Sequence, residues 1–225
     1  MPIPHNRIPI RIKASGSAFA RHRARLAPYY ERVRRWLPLS LMVMGLFLLG
    51  YVGSEYYSMF REQKRLHAAW DQQNAAPRNV AAAAPHDDLM RVQIERIGLD
   101  AIVLEGTARK QLKVGPGRII ASALPGEAGN AVITAHRDTF FRHIYELGKG
   151  DPIIVRRNGE ILTFAVTGKK VVSPDDLSVL KATADPTLTL ITCYPTYYIG
   201  PAPERLVVTA KLASRAPEPP AIAQK

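Results

Sequence analysis

No charged side chain occurs between Trp36 and Ser54, and within that stretch Leu37, Leu39, Leu41, Met42, Val43, Met44, Leu46, Phe47, Leu48 and Leu49 are densely apolar. A helix needs about 20 mostly apolar residues to cross a bilayer, and Trp and Tyr are favoured at its two interfaces. Trp36 stands at one end, and Tyr51, Tyr56 and Tyr57 stand at the other. Such a segment divides the chain: the residues on each side of it must fold separately. Arg32, Arg34 and Arg35 precede it, which by the positive-inside rule keeps the amino terminus in the cytoplasm. The expectation is a single-pass protein of the cytoplasmic membrane, with a basic cytoplasmic tail at 1–36, a transmembrane helix at 37–57 and all later residues extracytoplasmic. A cleaved signal peptide is the competing reading. It is disfavoured by the length of the basic region and by the lack of a small-x-small site soon after the apolar core.

The net charge of +12 suggests nucleic acid until it is divided along the chain. Residues 1–36 carry nine Arg and Lys against Glu31 alone, a surplus of +8 that leaves +4 for the remaining 189 residues. A nucleic-acid footprint belongs on a folded face. The excess here lies in the tail, so no nucleic-acid partner is expected.

Beyond the apolar stretch, Ser58 to Asn74 reads as a helical stalk, and 75–88, with Pro77, Ala81 to Ala84 and Pro85, has linker composition. Together they form an expected stalk and Ala/Pro linker at 58–88. From Leu89 the signal changes to short β segments: 92–97, 101–104, 131–135, 152–156, 161–172, 187–193 and 205–212. Gly and Pro break them at 115–117, 125–126, 150, 159, 174 and 200–203. Strands at such intervals predict a small, mostly antiparallel β-barrel over 89–213, with a short helix at 139–147 and a flexible carboxyl tail at 214–225.

The single cysteine, Cys193, closes the run Thr187-Leu188-Thr189-Leu190-Ile191-Thr192, and Tyr194-Pro195 follows it. A lone cysteine forms no internal disulfide, and a free one is commonly a small buried apolar residue. A strand end stopped by proline is instead a place to present a nucleophile. His136 closes a second run, Ala131 to Ala135, and Arg205 opens a third, Arg205 to Ala210. If the strands ending at Cys193 and beginning at Arg205 pair antiparallel, these two residues face each other across the ladder. His136 would reach the same rim.

The residue types assign roles. A thiolate attacks a carbonyl carbon, and a nearby cation stabilises it. Imidazole can hand a proton to a departing amine. Guanidinium keeps its proton near neutral pH, so Arg205 suits the developing oxyanion or the substrate backbone. The first half-reaction would leave a thioester for an amine or water to resolve. His143 is the only rival base among the other histidines. Asp138 is either an orienter of His136 or a turn residue. Arg137, Tyr197 and Tyr198 either line a groove or are solvated loop residues.

Thr189-Leu190-Ile191-Thr192-Cys193, with its upstream His and downstream Arg, resembles the Thr-Leu-x-Thr-Cys signature of the sortases. Leu124-Pro125-Gly126-Glu127-Ala128-Gly129-Asn130, His136-Arg137-Asp138-Thr139-Phe140-Phe141 and the run from Tyr194 to Arg205 are similar to class D. The resemblance covers about 90–212. It implies an eight-stranded barrel and a membrane-anchored transpeptidase that cuts a Leu-Pro-x-Thr-Gly-like motif near the carboxyl end of a substrate protein. The acyl group would pass to an amine of the cell envelope. By the same resemblance Cys193 is the nucleophile, His136 the imidazole and Arg205 the transition-state arginine, while Thr192 helps to shape the oxyanion site. Ala135 departs from the glycine that usually precedes the histidine. No cofactor is expected, and no metal: Asp175 and Asp176 are two adjacent carboxylates, whereas calcium takes 6–8 oxygen ligands. Two alternatives remain open, a membrane-tethered cysteine peptidase that only hydrolyses and a non-catalytic envelope binding module.

Overall fold

The computed structural model describes residues 17–75, 89–198 and 200–219. They belong to two compact units, Met1–Glu55 and Tyr56–Lys225. One helix, α1 (Ser17–Ala75), runs through the apolar stretch and onward into the residues expected as a stalk. Residues 1–16 of the basic tail, 76–88 of the Ala/Pro linker and 220–225 of the carboxyl tail lie outside the described residues.

Within the first unit, the apolar side chains of α1 are exposed: Phe47 by 72%, Leu49 by 71% and Leu46 by 61%. The polar hydroxyls in this stretch are satisfied within the helix, Ser40 donating to the Leu37 carbonyl at 2.9 Å and Ser54 to that of Tyr51 at 2.7 Å. Apolar residues on every side, with internally bonded hydroxyls, suit a hydrocarbon environment. The helix is long and apolar enough to cross a bilayer.

The second unit is a closed barrel of eight strands: β1 (Met90–Ile94), β2 (Leu99–Glu105), β3 (Gly117–Arg118), β4 (Asn130–Thr134), β5 (Pro152–Arg157), β6 (Glu160–Val172), β7 (Thr187–Tyr194) and β8 (Glu204–Pro217). Around the barrel the order is β1-β2-β3-β4-β7-β8-β6-β5. The β2–β3 and β4–β7 pairs are parallel and the others antiparallel. Val92, Ile133, Val155, Leu162, Leu188 and Val208 are among the side chains that fill the core. At the β5–β6 hairpin Asn158 and Gly159 both have positive φ, 51° and 73°. That is the turn an Asn-Gly pair makes most easily between twisted strands.

Several boundaries differ from the sequence reading. The short helix α2 (Arg109–Val114) and the two-residue β3 carry too little periodicity to be read from sequence. The segment 139–147 is not a helix but a series of turns ending in a 3-10 turn at Ile144–Glu146. Its buried residues Phe141, Ile144 and Leu147 are spaced by three, the period of 3-10 and not α geometry. Residues 214–217, expected in the tail, extend β8 because the 13-residue β6 still offers a partner there, with Glu160 opposite Pro217.

The last turns of α1 belong to this unit. Gln63 and Trp70 are buried and Met59, Leu66 and His67 half-buried, a stripe at helical spacing on one face. Gln63 does specific work there. In β2, Leu104 N–H bonds the Pro116 carbonyl and Gly106 N–H that of Arg118. Ile102 is next in that row, beyond the end of β3. Its N–H donates to Gln63 Oε1 at 3.0 Å, and its carbonyl accepts from Gln63 Nε2 at 3.2 Å. Nε2 also donates to Val114 at 3.1 Å. The side-chain amide therefore continues the ladder where strand β3 stops. Gly115 makes the approach possible, since a Cβ there would lie 2.4 Å from Nε2.

Candidate active site

Strand β7 carries the candidate thiol of Cys193 and lies between β8 and β4. On one edge its antiparallel register with β8 sets Cys193 directly opposite Arg205. This is the cross-strand arrangement expected from the sequence. On the other edge β7 runs parallel to β4, with Thr134 level with Ile191. The contact persists past the end of β4: Ala135 N–H donates to the Ile191 carbonyl at 3.3 Å. His136 is the next residue, two beyond the end of β4, as Cys193 is two beyond Ile191 on β7. Cys193 and Arg205 thus face each other on paired strands, and His136 leaves the adjacent strand at the same end of it. All three residues are half-buried.

Thr192 points the other way, as alternation along a strand requires. It is buried, at 1% exposure, and its hydroxyl donates to the Ala135 carbonyl at 2.8 Å. Thr134 Oγ1 makes a matching bond to the Ile191 carbonyl at 3.0 Å. Thr192 thus ties β7 to the backbone immediately before His136. The backbone of His136 is held from the other side, its carbonyl accepting from the N–H of core residue Phe141 at 3.1 Å. Arg205 Nη1 donates to the carbonyls of Glu204 at 2.9 Å and Ala202 at 3.3 Å.

The remaining candidates sort by position. His143 lies on the following turn with Nδ1 2.8 Å from Glu146 Oε1, its side chain half exposed. Asp138 is exposed in the turn after His136, and Tyr197 is exposed by 85%. Arg137 is tethered: Nη1 donates to the Pro195 carbonyl at 3.1 Å, Nη2 to that of Gly200 at 2.6 Å, and Cζ lies 5.9 Å from the centre of the Tyr198 ring. Among the described residues no group of three or more His, Cys, Asp or Glu is assembled to hold a metal ion.

Sequence reasoning passed over a buried polar network behind β7. Thr189 Oγ1 donates to Asn130 Oδ1 at 2.7 Å, and Asn130 Nδ2 donates to the carbonyls of Val179 and Lys181 at 2.9 and 3.2 Å. It fastens the β6–β7 connection to the two strands that carry the site. The signal was there in two alternating threonines on an otherwise apolar strand, but their partner lies 59 residues away.

Cys193 and Arg205 oppose each other across one ladder of a closed barrel, and His136 follows the end of the neighbouring strand. The chain belongs to the sortase family: the Sortase domain model matches residues 92–213. It is class D-like. It is 28% identical over 195 residues to Sortase D of Bacillus subtilis, covering 80% of this chain and 98% of that one. Its fold superposes on a Sortase D5 transpeptidase of Clostridium perfringens with a TM-score of 0.61 and 26% identity, over 68% of this chain and 99% of the other. A point mutant of sortase E of Streptomyces avermitilis gives a TM-score of 0.51 at 29% identity, covering 57% of this chain and 89% of the other.

Proposed function

We propose that this transpeptidase is a membrane-anchored sortase that cleaves a Leu-Pro-x-Thr-Gly-like motif near the carboxyl end of exported proteins and joins the new carboxyl group to an envelope amine. The observation that carries the reading is the direct cross-strand pairing of Cys193 with Arg205, beside the end of β4 from which His136 follows. Cys193 Sγ, as thiolate, attacks the carbonyl carbon of the scissile bond. A C–S bond forms and the carbonyl electrons move onto oxygen, where the Arg205 guanidinium stabilises the charge. Collapse of this intermediate breaks the C–N bond, and the departing amine takes a proton from the His136 imidazolium. The acceptor amine then attacks the thioester, gives its proton to His136 and expels the thiolate, restoring the enzyme. Thr192 acts from behind, by holding the segment before His136 to β7.

The Arg-flanked apolar part of α1 supports a single crossing with the amino terminus inside. Protease added to intact spheroplasts should digest the barrel and spare the tail; protection of the barrel would reverse the orientation. The chemistry is tested by incubating the full chain in detergent with pentapeptides varied around Leu-Pro-x-Thr-Gly and weighing the protein. A thioester adduct should appear and should vanish in Cys193→Ala. Adding a glycine-based amine should then give a ligated peptide; hydrolysed peptide alone, whatever the amine, would mean a peptidase and not a transpeptidase.

A further inference from the structure

We infer that Arg137 is a positioning residue that sets the β7–β8 connection, and through it Arg205. The inference rests on the sortase chemistry proposed above. The connection leaves β7 after Tyr194 and enters β8 at Glu204, so it joins the nucleophile's strand to the arginine's strand. Pro195, Pro201 and Pro203 lie in it. Proline has no N–H, so such a loop has more carbonyl acceptors than donors and makes few bonds of its own. Among its described residues, one internal backbone bond, Tyr198 N–H to the Pro195 carbonyl at 3.3 Å, closes its first turn. Further donors must come from outside the loop, and two arginines supply them.

Arg137 binds the near part of the loop, reaching Pro195 and Gly200 from a single guanidinium, with the Tyr198 ring beside it. Arg205 binds the far part at Ala202. A planar fork with fixed N–H directions is suited to hold two carbonyls five residues apart in one arrangement; an ammonium is not. Arg137 is also the residue after His136, whose backbone is itself pinned to Phe141. One side chain thus links the imidazole's segment to the loop whose far part the Arg205 guanidinium binds. Without it, the loop loses its fixed relation to the site and the Arg205 guanidinium loses a defined position relative to Cys193. The effect falls on the transition state, and so on the rate of thioester formation at saturating peptide, more than on KM.

The experiment is a double-mutant cycle on the full chain in detergent, reading single-turnover thioester formation by mass spectrometry with a Leu-Pro-x-Thr-Gly peptide, alongside thermal melts. Arg137→Ala should slow thioester formation about tenfold or more with a smaller change in KM, and Arg137→Lys should recover little. In an Arg205→Ala background, Arg137→Ala should cost far less, because both changes remove the same arrangement. If Arg137→Ala unfolds the chain, Arg137→Lys carries the cycle. Additive losses, or full rate in Arg137→Lys, would show that the two arginines act independently and overturn the inference. A parent chain that forms no thioester with any peptide would remove the sortase chemistry itself; a parent that does, with Arg137→Ala equally fast, would remove only the role of Arg137.

Discussion

Replacing Gln63 by Ala tests whether the end of α1 is part of the barrel's hydrogen-bonded wall or only rests on it. Ile102 is fully buried, and Gln63 supplies partners to both its N–H and its carbonyl. A buried backbone group left without a partner costs about 1–3 kcal/mol. The Val114 carbonyl is less enclosed and recovers part of its loss from water. Two stranded groups therefore cost roughly 3 kcal/mol. In a unit of this size each kcal/mol lowers Tm by about 2–4 °C, so Gln63→Ala should melt about 6–12 °C below the parent. Gln63→Glu adds a signature that simple loss of packing lacks. The new carboxylate still accepts from Ile102 N–H, but its second oxygen faces the carbonyls of Ile102 and Val114, where Nε2 had donated. That contact raises the carboxyl's folded pKa. The variant should therefore be less stable than Gln63→Ala at neutral pH and regain stability as pH falls toward the ordinary glutamate value of about 4.3. Melts of the full chain in detergent across pH measure both. A Gln63→Ala variant within roughly 1 °C of the parent would refute the reasoning, as would pH-independent behaviour in Gln63→Glu.

Gly115→Ala attacks the same contact from the barrel side, since the added Cβ would stand 2.4 Å from Gln63 Nε2 and 2.9 Å from the Ile102 carbonyl oxygen, which is backbone and cannot move aside; a cost of about 1–3 kcal/mol is expected in the same melts. Burial raises the Asp100 carboxyl, but hydrogen bonds from Arg91 and Gln93 outweigh it and hold the group below the ordinary aspartate value. The stabilisation is therefore present above about pH 3.9 and is lost as pH falls through the lower folded value. Asp100→Asn should flatten that acid limb while costing under about 1 kcal/mol at neutral pH, because the Asp100 carboxylate is solvent-exposed. His136→Ala should slow turnover by about 10²–10⁴ for want of the amine's proton donor. Arg205→Lys should lose about 10² or more in kcat despite keeping its charge; near-normal rates in the purified lysine variant would show that charge alone suffices.

The sequence by itself determined the outline, and the reason is local. A run of apolar residues without charge reads as a helix for a membrane wherever it occurs, and alternating segments broken by Gly and Pro read as strands whatever their partners. Cys193, His136 and Arg205 stood out as candidates for the same reason, each standing where an apolar run begins or ends, and the Thr-Leu-Ile-Thr-Cys signature sharpened that reading. Only the tertiary structure decided register and partnership. Nothing near Thr192 indicates that its hydroxyl binds Ala135, and nothing near Gln63 indicates that a helix amide completes a strand ladder 39 residues away. Phe141, Ile144 and Leu147 became 3-10 turns because the core takes up their spacing of three, and residues 214–217 became strand because β6 is long enough to pair with them. Arg137 in sequence is one more charge in a loop. It becomes a tether only because parallel pairing of β4 with β7 brings its segment beside a proline-rich connection short of donors. Periodicity is set by neighbours a few residues away, whereas hydrogen-bond satisfaction is settled across the whole chain.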